Sequence, residues 1–161
     1  FHGDLIRPGI MLYGASPIQG QQGPDAGLQP VMTLQSEVIA LHQLNPGDTV
    51  GYGQSFHVER PTTIAVVAIG YGDGYPRSAG NGTPVLIKGQ LFPIAGRVSM
   101  DMITVDVTGA EIQLGETVTL WGTGLSADII ADHCQTIAYE LFCQVTPRVH
   151  RQYVGSPSPI K

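Results

Sequence analysis

Across residues 32–121 the chain is a succession of short β-branched runs cut by glycine and proline, a rhythm that leaves no room for long helices. Residues 32–41 (MTLQSEVIAL) alternate in part, and Asn45-Pro46-Gly47-Asp48 marks a tight turn before Thr49-Val50-Gly51-Tyr52. Residues 61–69 (PTTIAVVAI) have the β-branched content of a buried strand. Residues 84–87 and 91–94 flank Lys88-Gly89-Gln90 as a hairpin, and residues 102–107 and 116–121 add two more alternating strands. Gly122 and Gly124 punctuate the end of the last one. A helix is predicted where Ser126-Ala127-Asp128 offers an N-cap ahead of Ile129, Ile130, His133 and Cys134, with a second helical turn around residues 138–142. The fold class this predicts is mainly β: an open or partly closed β-barrel domain with one or two short helices.

Composition narrows the function classes. The 161 residues are enough for one domain with a real core. Only 13% are charged and 42% hydrophobic, with 21 Gly and 12 Pro, which fits a turn-rich β domain better than a bundle or a disordered segment. A net charge of -5 without any Lys/Arg cluster argues against nucleic acid as a partner. No apolar run reaches the length of a membrane span, and no signal peptide is read, so a cytoplasmic protein without a membrane partner is expected. Cys134 and Cys143 lie nine apart in a segment read as helical, a spacing that fits neither a CxxC redox pair nor a zinc site; reduced thiols and no metal are expected.

Two tyrosines sit in glycine brackets, Gly51-Tyr52-Gly53 and Gly70-Tyr71-Gly72, and Gly96-Arg97-Val98-Ser99-Met100-Asp101 follows. Glycine on both sides lets the backbone bend sharply or approach a ligand closely, although the same tripeptide is also ordinary turn material. Lysine is scarce: Lys88 falls in a turn and Lys161 at the end, and neither suits a Schiff base or a phosphate site. The chain opens on Phe1-His2-Gly3-Asp4-Leu5, which reads as the middle of a fold, so a part of a longer polypeptide is expected. An apolar run with one arginine, Leu5-Ile6-Arg7-Pro8-Gly9-Ile10-Met11-Leu12-Tyr13-Gly14, is followed by a Gly/Gln/Pro-rich stretch over residues 16–30 with little to bury. The end, Ser156-Pro157-Ser158-Pro159, reads as frayed.

Taken together, Arg7-Pro8-Gly9-Ile10-Met11-Leu12-Tyr13-Gly14, Val50-Gly51-Tyr52-Gly53, Gly70-Tyr71-Gly72-Asp73-Gly74-Tyr75-Pro76-Arg77, Gly96-Arg97-Val98-Ser99-Met100-Asp101-Met102, Tyr139-Glu140-Leu141 and Arg148-Val149 closely resemble, in order and spacing, the C-terminal part of the alanine racemase family. The resemblance covers the chain except residues 156–161. It implies a two-domain enzyme that uses pyridoxal 5'-phosphate (PLP) and acts as a homodimer with shared active sites. It divides this chain into the end of an N-terminal α/β barrel (1–15), a linker (16–30), a C-terminal β domain (31–155) and a disordered tail (156–161), with the PLP lysine outside the chain.

The roles it implies attach to single residues. Tyr52, and not the more conspicuous Tyr71, matches the catalytic tyrosine that serves the partner subunit's site as acid or base on the L-alanine side. Arg7 resembles the arginine that donates to the PLP pyridine nitrogen, and Gly9 and Ile10 match backbone N–H groups that reach the cofactor phosphate. Met100 matches a residue whose backbone amide holds the substrate carboxylate. Tyr71, Arg77, Arg97 and Asp101 resemble residues of the access channel. A tyrosine working as a base near neutral pH needs a neighbour that favours the phenolate, and the resemblance places it on the barrel, because His2, His42, His57, His133 and His150 match no motif. Two departures stand out: Pro147 replaces a phosphate-contacting tyrosine of some relatives, and Arg148-Val149-His150-Arg151 replaces the usual Arg-Val-Pro-Arg. The expected activity is interconversion of L- and D-alanine, in the fragment alone absent. The alternatives are a broad-specificity amino-acid racemase, a decarboxylase of the same architecture, for which neither cysteine is suitably placed, and a non-catalytic β-barrel module for binding or dimerisation.

Overall fold

The computed structural model describes residues 3–155; the frayed tail expected at 156–159 lies outside them. Eight strands and two helices follow in chain order: β1 (Leu34–Leu44), β2 (Thr49–Val50), β3 (Phe56–His57), β4 (Thr62–Val67), β5 (Pro84–Ile87), β6 (Gln90–Pro93), β7 (Ile103–Asp106), β8 (Thr117–Trp121), α1 (Ala127–His133) and α2 (Ala138–Gln144). Six strands form one antiparallel sheet in the order β6-β5-β8-β1-β4-β7, while β2 and β3 make a separate two-stranded ribbon. A bridge between Ile94 and Val105 brings the end of β6 onto β7, so the two edges of the sheet meet and the barrel nearly closes. That closure hides edges that would otherwise expose unpaired backbone groups.

The curl comes from β1, longer than the strand read at 32–41. Its first half pairs with β8 (Leu34↔Trp121 to Glu37↔Thr117) and its second with β4, and the register shifts between Leu34 and Gln35 and again between Val38 and Ala40. Such irregularities add local twist and let one strand serve two halves of a barrel. The hairpin predicted around Lys88 is present: Ile87 pairs with Gln90, and Lys88 (φ 52) and Gly89 (φ 78) form a two-residue turn of the type whose twist matches the strands. Lys88 is also tied down, its Nζ 2.9 Å from a Glu116 carboxylate oxygen. After the turn at residues 45–48, β2 stops at Val50, because Gly51 (φ 79, ψ 173) turns the chain out of the ladder.

The main core gathers Val85, Ile87, Val105, Val118, Leu120 and Trp121 from the strands with Ile130 and Leu141 from the helices. Trp121 and Tyr75 are both buried and stack at 5.8 Å between ring centroids, 13° apart in plane. Ser126 caps α1 as predicted, its Oγ accepting from the Asp128 N–H at 3.2 Å. Both cysteines are free, Cys134 buried at the end of α1 and Cys143 exposed in α2. No helix among the described residues is long and apolar enough to cross a membrane.

Residues 16–30 are largely exposed, yet they are pinned to α1 by one carboxylate. Asp128 Oδ2 accepts from the Ser16 N–H (3.2 Å), the Gly23 N–H (2.8 Å) and the Ser126 hydroxyl (3.0 Å). Replacing Asp128 with Ala leaves two backbone donors without their charged acceptor, so we expect a loss of about 2 kcal/mol in urea unfolding. Faster proteolytic nicking within residues 16–23 would accompany it.

Candidate active site

The glycine brackets dock on a single loop, residues 96–102, from two sides. At Gly51 an added Cβ would come within 3.0 Å of the Arg97 nitrogen and 3.3 Å of Gly96 Cα. Glycine with positive φ is therefore required for this turn to lie on the loop. Tyr52 opens the short 3-10 turn that follows (Tyr52–Gln54), and its side chain is 71% exposed. It overhangs an open cleft of about 470 Å³ lined by Arg97, Ser99, Met100, Asp101 and Met102. Asn81 fastens both rims: its Oδ1 accepts from the Gly96 N–H and its Nδ2 donates to the Ser55 carbonyl at 2.8 Å.

The second bracket needs glycine for closeness alone. A Cβ on Gly70 would sit 2.3 Å from the Ser99 carbonyl oxygen and 2.4 Å from that of Met100. This proximity lets the Tyr71 N–H donate to Ser99 O (3.0 Å) and the Gly72 N–H to Met100 O (2.8 Å). Asp73 Oδ2 accepts from the Gly70 N–H at 2.9 Å and closes the turn. Met100 thus spends its carbonyl on Gly72, while its N–H has no partner among the described residues.

Arg148 reaches into the same place. Its Nε lies 3.2 Å from Asp73 Oδ1 and its Nη2 2.6 Å from Asp101 Oδ1. The hydrogen bond to Asp101 and the charge of Asp73 both push the guanidinium pKa further up. Tyr75, two residues after Asp73, is the opposite of Tyr52: burial drives its phenol far above the ordinary tyrosine range, with the Cys134 thiol adding to the effect, and it is a neutral core residue.

The structure brings Tyr52, Met100, Arg97 and Asp101 to one cleft, with Tyr71 half-exposed on the turn that holds the cleft loop. Arg77 is exposed further along that segment and lines none of this cleft. Arg7, Gly9 and Ile10 are likewise absent from its lining. Gly9 and Ile10 open a 3-10 turn (Gly9–Tyr13) that rests on α2, where the Ile10 N–H donates to the Tyr139 hydroxyl at 2.9 Å. A Cβ on Gly9 would meet that hydroxyl oxygen at 2.7 Å. His42, His57, His133 and His150 are all exposed.

Three residues of the site were not singled out for a role in the sequence. Asp73 carries a readable signal, since Gly70-Tyr71-Gly72-Asp73 has the spacing at which a carboxylate reaches back to the first amide of a turn. Asn81 carries none, and Arg148 stands in a family-like motif that does not reveal its partners, because in both cases they are distant in sequence.

Comparison with known proteins agrees with this geometry. Residues 31–153 match the family model described as alanine racemase, C-terminal domain. The alanine racemase of Chromohalobacter salexigens is 54% identical over 153 residues, covering 94% of this chain and 42% of that protein. The crystal structure of the biosynthetic alanine racemase from Pseudomonas aeruginosa superposes with a TM-score of 0.91 at 48% identity, over 93% of this chain and 42% of that one. That of the Bartonella henselae alanine racemase with covalently bound pyridoxal phosphate does so with a TM-score of 0.83 at 34% identity, over 94% and 42%. The chain therefore spans about two fifths of the length of the relatives it matches. Fold and sequence converge: the chain belongs to the alanine racemase family, of which it carries the C-terminal domain.

Proposed function

We propose that this chain is the C-terminal part of a PLP-dependent enzyme that interconverts L- and D-alanine, and that Tyr52 moves the proton on the L-alanine side. The observation that carries the reading is the presentation of Tyr52: two glycines hold an exposed phenol over a cleft lined by Met100, whose N–H has no partner among the described residues. Racemisation needs an acid or base on each face of the α-carbon. Tyr52 supplies one, and the PLP lysine, on polypeptide beyond this chain, supplies the other.

The cofactor side fits residues Arg7, Gly9 and Ile10. The bare Cα of Gly9 lets the Tyr139 hydroxyl sit against this turn, where it accepts from the Ile10 N–H. Amides and a hydroxyl are a donor set suited to a phosphate. Bound PLP is an electron sink for the bond to the α-hydrogen. Arg7 would donate to its ring nitrogen, Gly9 and Ile10 to its phosphate, and Met100 to the substrate carboxylate. Tyr71, Arg77, Arg97 and Asp101 would line the access channel and select small zwitterions. Because Tyr52's cleft excludes Arg7, Gly9 and Ile10, the two sets complete a site most simply across a homodimer, Tyr52 of one subunit facing the cofactor of the other. We place the division between barrel and β domain within residues 16–30 and the enzyme in the cytoplasm.

The test uses the full-length enzyme and this chain side by side. Full-length protein should racemise alanine, followed by polarimetry, and should favour alanine over larger amino acids. The isolated chain should show neither racemisation nor covalent uptake of pyridoxal phosphate by mass spectrometry. Racemisation by the pure fragment, or none by the full-length protein, contradicts the reading.

A further inference from the structure

We propose that Arg148 is a positioning residue for the substrate carboxylate: by clasping Asp73 and Asp101 with one guanidinium, it fixes the direction of the Met100 N–H. The inference rests on the reading above, in which that amide binds substrate.

The chain of contacts is short. In a trans peptide the C=O and N–H point in opposite directions, so the orientation of the Met100 N–H is set by whatever holds the Ser99 carbonyl. That holder is the Tyr71 N–H, at 3.0 Å. The next peptide is held as well, through Gly72 N–H to Met100 O at 2.8 Å. The aim of the Met100 amide therefore depends on how the turn from Gly70 to Gly74 lies against the loop, and only backbone hydrogen bonds join those two directly.

Arg148 cross-links them from a third segment. One arm of the fork is on Asp73, which closes the Tyr71 turn, and the other is on Asp101, which follows Met100. Its Nη1 lies so close to Gly72 that a Cβ there would come within 2.4 Å. The arginine is itself anchored from behind: the Thr146 N–H donates to Asp73 O and the Thr146 hydroxyl to Gly72 O, both at 3.0 Å. An isolated exposed ion pair contributes little. A planar fork that spans two carboxylates on separate turns does more, because it removes a relative motion, and lysine as a point charge cannot reproduce it.

The test is made in the full-length enzyme with L- and D-alanine. Arg148→Ala should raise KM for alanine about tenfold with kcat within about twofold, the pattern of lost binding common to ground and transition states. Cofactor content and dimer mass should match wild type. Arg148→Lys should keep most of the KM defect, and Asp101→Asn should share it, while the Arg148→Ala/Asp101→Asn pair should be no worse than the stronger single variant, as for residues acting as one unit. Where Arg148→Ala fails to assemble, Arg148→Lys and Asp101→Asn decide by the same KM readout. A KM within about twofold of wild type in Arg148→Lys and Asp101→Asn, a fall in kcat with KM unchanged, or full additivity in the pair overturns the inference while leaving the alanine racemase reading intact. A wild-type enzyme without alanine racemisation overturns both.

Discussion

Full-length enzyme carrying Tyr52→Phe should racemise alanine about 10²- to 10⁴-fold more slowly than wild type in both directions, the usual contribution of a positioned acid or base. The size of the effect follows from what the substitution leaves in place. Gly51 and Gly53 still shape the turn, and the phenyl ring still fills the space of the phenol; only the hydroxyl proposed to exchange the proton is gone. Stability should hardly move, because Tyr52 is 71% exposed and outside the core. Tyr71→Phe is the matched control. Tyr71 is also glycine-flanked, but its backbone N–H, which the substitution keeps, is the group that touches the Ser99 carbonyl. Its variant should lose much less activity. Assays of kcat/KM for both enantiomers, with thermal unfolding of each variant, separate the two roles.

The largest effect on folding is expected at Trp121. It is fully buried, stacks on Tyr75 and sits at the register shift where β1 meets β8. Trp121→Ala opens a cavity that the closed sheet has little freedom to collapse, and should cost about 3–5 kcal/mol, a large part of the stability of a single domain. Trp121→Phe should cost less than the alanine change, because the indole Nε1 has no hydrogen-bond partner among the described residues and its removal strands no acceptor. Trp121 is the only tryptophan, so urea unfolding is followed by circular dichroism. Equal losses in the two variants would show that the indole contributes by more than volume.

Local chemistry explains which parts of this fold were readable in the sequence. The hairpin at Lys88-Gly89 and the cap at Ser126 are decided by residues within a few positions of one another; the cap stands where the pattern put it, and the hairpin does too except that Gln90, read as turn, already pairs with Ile87. The early end of β2 could not be read, because glycine at 51 serves a long-range purpose, closeness to Gly96 and Arg97, that no local window contains. The double pairing of β1 depends on β4 and β8, which lie on opposite sides of it and far along the chain. The same distinction divides the site. Tyr52 and Tyr71 announced themselves by their glycines, and family resemblance ranked them. That both brackets exist to dock on residues 96–102, and that Arg148 closes the arrangement through Asp73 and Asp101, required the tertiary contacts. The roles proposed for Arg7, Gly9 and Ile10 rest on the family resemblance alone, since these residues lie apart from the cleft under Tyr52.

In the mechanism we propose, Tyr52 handles the α-hydrogen of L-alanine while another group handles that of D-alanine. Solvent exchange in deuterium oxide, followed by proton NMR of the alanine α-hydrogen in the full-length Tyr52→Phe enzyme, tests it most directly. D-alanine should still exchange its α-hydrogen at a rate near wild type, whereas exchange from L-alanine should fall about 10²-fold or more. Wild-type exchange from L-alanine in that variant would contradict it.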